Sequence, residues 1–170
     1  MGHVIQTASP HDIPRIFEIS SRLHRSRYEQ FVDDEHKATF YAHYQDSYQN
    51  EEHFIQTVLS KLSDPSYTLL VLVADDLIAG YISVQQDDAY SATIHSLFVD
   101  AAYQGKGFGK ALMGEVVKMF GNKRLTLEVI AKNEHAIRLY EAFDFEPVAQ
   151  PLDTTFYGAA LLVMSRAPRA

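Results

Sequence analysis

The clearest pattern in the chain lies between Tyr67 and Val99. Three apolar runs are separated there by two pairs of aspartates. Tyr67 to Ala74 is continuously apolar and rich in branched residues, which predicts a strand buried on both faces. Asp75-Asp76 predicts a tight turn, and Leu77 to Gln85 the returning arm of a hairpin. Asp87-Asp88 predicts the next turn, and Ala92 to Val99 a third antiparallel strand.

Upstream, His3 to Ser9 reads as a short strand. Ser9-Pro10 is a helix start, and Ile13, Ile16, Phe17, Ile19 and Leu23 recur at helical spacing, with an end expected near His24 to Ser26. Tyr28 to Asn50 holds Phe31, Phe40, Tyr41, Tyr44 and Tyr48 in no strict period. It predicts irregular structure or a short helix, either as a substrate wall or as ordinary half-buried aromatics. Glu51 to Ser63 places Phe54, Ile55, Val58, Leu59 and Leu62 on one helical face, and Asp64-Pro65 ends it.

Downstream, Gly109 to Phe120 is an amphipathic helix closed by Gly121-Asn122. Leu125 to Ala131 is a strand, and Asn133 an N-cap for a helix from Glu134 to Phe143. Phe145 to Ala149 and Thr155 to Ser165 read as closing strands, with a frayed tail from Arg166 to Ala170. The order is β-α-α-β-β-β-α-β-α-β-β. A strand, a helix and a further strand after residue 99 require a right-handed crossover and a locally parallel pair. The expected fold class is α/β in the mixed α+β sense: a mostly antiparallel sheet of about seven strands with helices on both faces. One domain is expected over residues 1–170, with its core between about residues 4 and 166.

Composition narrows the function. The chain has 170 residues, 46% of them hydrophobic, and no cysteine. Disulfides, thiolate metal sites and a cysteine nucleophile are therefore excluded. No apolar run approaches ~18 residues, and the N-terminus lacks the charged-then-apolar order of a signal peptide. A cytoplasmic location and no membrane partner are expected. The eight histidines include no H-x-x-x-H pair, so no metal is expected. The net charge of −7 argues against nucleic acid as a partner. Charge is also unevenly spread. Between Tyr28 and Tyr90 stand twelve acids and two bases, and between Ala101 and Tyr140 seven bases and three acids. Two explanations stay open: a solvated surface, or an anionic cofactor on one side and a cationic substrate on the other.

The chemistry concentrates at Gln104-Gly105-Lys106-Gly107-Phe108-Gly109-Lys110. A strand, a glycine loop and a helix N-terminus in that order make a phosphate-binding device, because the first helical turn has unpaired N–H groups and glycines admit a close approach. A P-loop fails by one residue and lacks the hydroxyl that holds magnesium, since Ala111 follows Lys110. A dinucleotide fingerprint fails at its third glycine, where Lys110 stands. The segment fully matches a third pattern. Gln104 to Gly109 resembles the Q/R-x-x-G-x-G/A signature of the GCN5-related N-acetyltransferases. Asn133 to Phe145, N-x-x-A-I-x-x-Y-x-x-x-x-F, is also similar to that family, and the element order agrees from about Val4 to Arg166. Two departures are Ala101-Ala102, where many relatives have proline, and Asp144, where glycine is usual.

The resemblance implies an acyl-CoA N-acyltransferase fold with acetyl-coenzyme A as cosubstrate. It implies that the backbone of Leu97, Phe98 and Val99 pairs with the pantetheine amides, and that the N–H groups of Gly105 to Lys110 hold the pyrophosphate. Asn133 would contact the cofactor, with Ala136 lining its channel. Tyr140 would donate a proton to the departing thiolate, which its ordinary pKa of about 10 allows. A backbone N–H of Phe98 or Val99 would face the developing oxyanion. His95, with an ordinary pKa of about 6.5, is a candidate base, with Glu128 its rival and structural packing the plain alternative. Read by period alone, His95 shares a strand face with Thr93, Leu97 and Val99. The expected reaction is direct acetyl transfer to a primary amine, such as a polyamine or another small cationic amine. Alternatives are a ribosomal-protein or peptide N-terminus as acceptor, a coenzyme A-binding sensor without catalysis, and a nucleotide-binding protein. Members of the family often form homodimers, and the last strands are the expected contact.

Overall fold

Branched and aromatic residues with both faces covered are what make the central strands strands. The computed structural model describes residues 2–148 and 155–169. Its strands are β1 (Val4–Thr7), β2 (Tyr67–Ala74), β3 (Leu77–Gln86), β4 (Ser91–Val99), β5 (Arg124–Ile130), β6 (Glu146–Pro147), β7 (Thr155–Phe156) and β8 (Ala159–Arg166). Its α-helices are α1 (Ile13–Tyr28), α2 (Lys37–Tyr48), α3 (Glu51–Leu62), α4 (Phe108–Phe120) and α5 (Glu134–Glu141). The sheet runs β1-β2-β3-β4-β5-β8-β6, with β7 also on β8. Every pair is antiparallel except β4 with β5.

Along β2, Leu70 and Leu72 join the layer of α4, where Leu112 and Met113 are fully buried. Leu69 and Val71 join the opposite layer with Ile13, Ile16 and Ile19 of α1. One strand thus feeds two cores, which is why its sequence shows no alternation. Asp75 and Asp76 make the hairpin turn with φ of 51° and 60°, the paired left-handed geometry of a tight two-residue connection. Ser9 and Asp12 close a capping box before α1: Ser9 N donates to Asp12 Oδ2 at 2.7 Å.

Several expectations are corrected. The first helix runs on to Tyr28, past its expected end, and the aromatic stretch takes the helical one of its two alternatives, with α2 spanning Lys37–Tyr48. Phe40 and Tyr44, one turn apart on α2, are buried, but the neighbouring aromatics spread around the helix and blur its period. The last helix stops at Glu141, short of Phe143. The closing pair is smaller and more divided than its pattern suggested. Pairing in β6 covers only Glu146 and Pro147, where proline supplies no N–H, while Ala149 lies outside the described residues. Tyr157 and Gly158, both with positive φ, turn the chain between β7 and β8. The tail is fastened: Arg166 is 1% exposed at the end of β8, and Arg169 N donates to the Gly121 carbonyl at 2.7 Å.

Two irregularities shape the site. β4 and β5 pair only from Ser91–Arg124 to Ile94–Leu127, so beyond Ile94 no strand among the described residues pairs that edge of β4. The β3–β4 register also slips, Val84 opposing Ile94 but Ser83 opposing Ser96. His95 is the extra residue of a β-bulge. The face toward α4 therefore carries Ala92 and Ile94 before the bulge, and Leu97 and Val99 after it. His95 does not share a regular face with Leu97 and Val99, because the bulge breaks the period.

Candidate active site

The open edge of β4 faces a cavity of about 740 Å³. One wall is the strand end at Leu97 and Val99, a second the glycine loop, and a third Asn133, Ala136 and Tyr140 at the start and inner face of α5. Asp100 sets the loop's entry. Asp100 is 4% exposed, and its carboxylate accepts from Ala102 N at 3.1 Å and pairs with Arg15 at 2.6 Å, tying the loop to α1. Gln104 Nε2 donates to the Val99 carbonyl at 3.0 Å.

Gly105 and Gly107 adopt φ of 76° and 83°, which side-chain-bearing residues resist. Gly107 is the N-cap of α4 and provides no side-chain cap. The first loop-to-helix bond runs from Ala111 N to the Gly107 carbonyl at 3.0 Å. The amides of Gly105, Lys106, Gly107, Phe108, Gly109 and Lys110 have no acceptor among the described residues. Five of these residues, all but Lys106, line the cavity, and successive unpaired amides leading into a helix N-terminus fit a diphosphate. The side chains divide the labour differently. Lys110 lines the cavity, Lys106 Nζ lies 4.8 Å over the Tyr103 ring, and Phe108 is 3% exposed in the core, so only its backbone is available.

Backbone direction discriminates among Leu97, Phe98 and Val99. Asp100 N bonds to Ala79 on β3, so by alternation Phe98 also turns its polar groups toward β3. Leu97 and Val99 turn theirs toward the open edge, where their carbonyls accept from Arg27 and Gln104. Phe98 instead packs its ring on Tyr81 in the α1 layer. Of the two candidate oxyanion donors, Val99 is the one aimed into the cavity.

A second cavity of about 250 Å³ lies in the fork between β4 and β5. His95 and Glu128 line it, as do the rings of Tyr28, Phe98 and Phe156. Five residues border both cavities: Arg27, Leu97, Asn133, Ala136 and Tyr140. Asn133 Oδ1 accepts from Ala136 N at 3.2 Å as the cap of α5, which leaves its amide nitrogen for the cavity. Burial pushes the Tyr140 hydroxyl up to about 12, with Tyr28 adding to the rise and Arg27 opposing it. It is firmly protonated at neutral pH. His95 is an exposed residue of β4, and desolvation by the protein around it, then Lys61, hold it below the usual imidazole range, against Asp87 and Glu128. His95 is thus neutral and able to accept a proton. Among the described residues, Asp33, Glu35 and His36 bring possible metal-ligand atoms within 4.8 Å of one another, but on a surface turn that lines neither cavity.

Residues 23–145 match the model of the acetyltransferase (GNAT) family. The chain belongs to that family. Among curated relatives, it is 43% identical over 53 residues to a spermine/spermidine N(1)-acetyltransferase of Bacillus subtilis, covering 29% of this chain and 35% of the relative. It is 31% identical over 70 residues to the N-alpha-acetyltransferase RimI of Mycobacterium tuberculosis, covering 41% of this chain and 44% of that protein. The chain thus spans less than half the length of these curated relatives. The fold extends further than the sequence likeness. The PaiA N-acetyltransferase of Thermoplasma acidophilum, crystallised with coenzyme A, superposes with a TM-score of 0.76 at 20% identity, over 98% of this chain and 99% of that one. The GNAT fold therefore covers β1 through β8.

The family motif drew attention to the loop, Asn133 and Tyr140, but not to Arg27. One sequence signal was available. Arg25 has Glu29 one turn on, whereas the helical neighbours of Arg27 (Leu23, His24, Gln30 and Phe31) include no carboxylate.

Proposed function

We propose that the chain transfers an acetyl group from acetyl-coenzyme A to a primary amine. The observation that carries this reading is the junction of the two cavities at Tyr140, with a phosphate-suited loop on one side and His95 and Glu128 on the other. Acetyl-coenzyme A supplies an acetyl thioester and a thiolate leaving group. The amides of Gly105 to Lys110 hold its diphosphate, and Lys110 adds charge. The outward amides of Leu97 and Val99, on the edge that β5 leaves open, orient the pantetheine arm, and Val99 N–H faces developing negative charge. Asn133 and Ala136 line the arm's path. Tyr140 keeps its proton on Oη until the thiolate needs it.

The amine enters through the fork between β4 and β5. His95 takes its proton directly or through water, with Glu128 as the second acceptor on the same wall. None of the twelve acids between Tyr28 and Tyr90 lines either cavity, and Glu128 is the one carboxylate that does among the described residues. Spermine or spermidine, a ribosomal-protein alanine and L-methionine sulfoximine, acceptors named for relatives, belong to classes within the scope of the test.

An amine panel with acetyl-coenzyme A, read by released thiol, tests the proposal. Spermidine, amino acids, aminoglycosides and short peptides span the main classes. Amine-dependent thiol release with a matching acetylated product supports the reading. Acetyl-coenzyme A binding without transfer to any amine overturns it in favour of a cofactor sensor.

A further inference from the structure

Arg27 is a cation for which acetyl transfer alone finds no use. It stands in the last turn of α1, half-buried at the junction of the two cavities. The other arginines of that helix are paired. Arg15 meets Asp100 at 2.6 Å and Glu18 at 2.8 Å, Arg22 meets Asp100 at 3.8 Å, and Arg25 meets Glu29 at 3.2 Å. Arg27 has no carboxylate within 4.0 Å among the described residues. Its Nη1 makes one long bond, 3.4 Å, to the Leu97 carbonyl, and its guanidinium lies 5.6 Å over the Phe98 ring. A guanidinium offers five donors in a planar fork that matches a carboxylate, and one long bond leaves most of that fork available.

The surroundings restrict what could fill it. The titratable groups of the second cavity are His24, Arg27, Tyr28, His95, Glu128 and Tyr140. Among them stand one guanidinium, Arg27, and one carboxylate, Glu128. A polyamine would bring a second cation beside Arg27 and nothing to pair with it. A zwitterion complements both charges. Tyr140 also borders both cavities, so an acceptor held at Arg27 has its nearby amine at the place where acetyl transfer must occur. The rings of Tyr28, Phe98 and Phe156 are left to cover an apolar side chain.

We propose that Arg27 selects an acceptor with a carboxylate beside its amino group, an α-amino acid or a close analogue, by pairing with that carboxylate at the junction of the cavities. This rests on the acetyl-transfer reading. The amine N–C bond forms as the thioester C–S bond breaks. The bound ammonium first gives one proton to the base to become the attacking amine. After the bond forms the nitrogen loses its second proton to solvent, and the thiolate takes one from Tyr140, which solvent reprotonates. The products are an N-acetyl amino acid and coenzyme A.

The test compares each common L-amino acid with its own amide, which keeps the amine and side chain but removes the negative charge. Spermidine and a short peptide amide are run alongside. Thiol-release kinetics are measured for the wild type, Arg27→Lys and Arg27→Gln, with calorimetric affinity for acetyl-coenzyme A in each. The expected wild-type result is a kcat/KM about tenfold or more higher for the preferred acid than for its amide. In Arg27→Gln that ratio falls toward one through a higher KM for the acid. Arg27→Lys, which keeps the charge without the fork, lies between. Equal use of acid and amide, or a ratio that survives Arg27→Gln, overturns the inference. So does a loss confined to acetyl-coenzyme A affinity, which would assign Arg27 to the cofactor. If spermidine or the peptide turns over and amino acids do not, acetyl transfer stands and this inference alone fails. If acetyl-coenzyme A binds and nothing is acetylated, both fail.

Discussion

Gln104 Nε2 donates to the Val99 carbonyl over 3.0 Å, so the first residue of the glycine loop is bonded to the last residue of β4. This contact fixes the distance between the open strand edge and the unpaired amides of the loop. It also makes Gln104 a positioning residue whose side chain need not touch the cofactor. Replacing Gln104 with Ala removes one neutral hydrogen bond, a loss of about 1 kcal/mol in folding stability. Loosened registry between loop and strand should weaken acetyl-coenzyme A binding about fivefold or more, since a net hydrogen bond of that size corresponds to such a factor. Denaturant midpoints and calorimetric titration check the two effects. A stability loss with unchanged affinity would restrict Gln104 to the fold.

Tyr140 borders both cavities, and burial pushes its hydroxyl up to about 12. Tyr140→Phe keeps the ring that packs near Phe145 and removes only the proton donor. The expected loss in kcat is about 100-fold, the lower end for general acid catalysis, with acetyl-coenzyme A affinity within about twofold of wild type. Steady-state kinetics and calorimetry on one preparation measure both. Because the folded-state value lies so high, no loss of rate from ionising this hydroxyl is expected up to about pH 10. Full activity in Tyr140→Phe would remove its acid role.

His24 is 5% exposed, between Tyr28 on its own helix and Phe40 and Tyr44 on α2. Burial, then His43, holds its pKa down at about 4. The unfolded chain, with an ordinary value of about 6.5, therefore binds more protons than the folded one between those two pH values. Stability attributable to His24 is complete above pH 6.5 and falls as pH drops toward 4. The full span is roughly 3 kcal/mol. Urea midpoints at pH 7 and 4.5 should differ accordingly, and His24→Phe should flatten the dependence. An unchanged slope in that variant would place the titration elsewhere.

The central sheet was legible because its signals are local. Branched runs, paired aspartates and a period of two need no partner to be read, and β2, β3 and β4 fall close to where those signals put them. The loop was legible because its glycines answer a backbone requirement visible at Gly105 and Gly107. What escaped depends on neighbours distant in sequence. The bulge at His95 exists only as a slip against Ser83 and Val84 of β3, so a period counted along β4 alone gives the wrong face. The helix Lys37–Tyr48 was obscured because its aromatics pack against several elements and leave no single stripe. Arg27 stands just past the expected end of the first helix and belongs to no motif, and only the fold brings it to the Leu97 carbonyl, 70 residues away.

The most direct measurement is a titration of the isotope-labelled protein with coenzyme A, following backbone amide resonances. The amides of Gly105, Gly107, Gly109 and Lys110 should shift most, together with those of Leu97 and Val99, and saturate with one affinity. Unmoved loop amides at a coenzyme A concentration that shifts resonances elsewhere would contradict the assignment of the diphosphate to this helix N-terminus, and with it the transfer of acetyl groups at Tyr140.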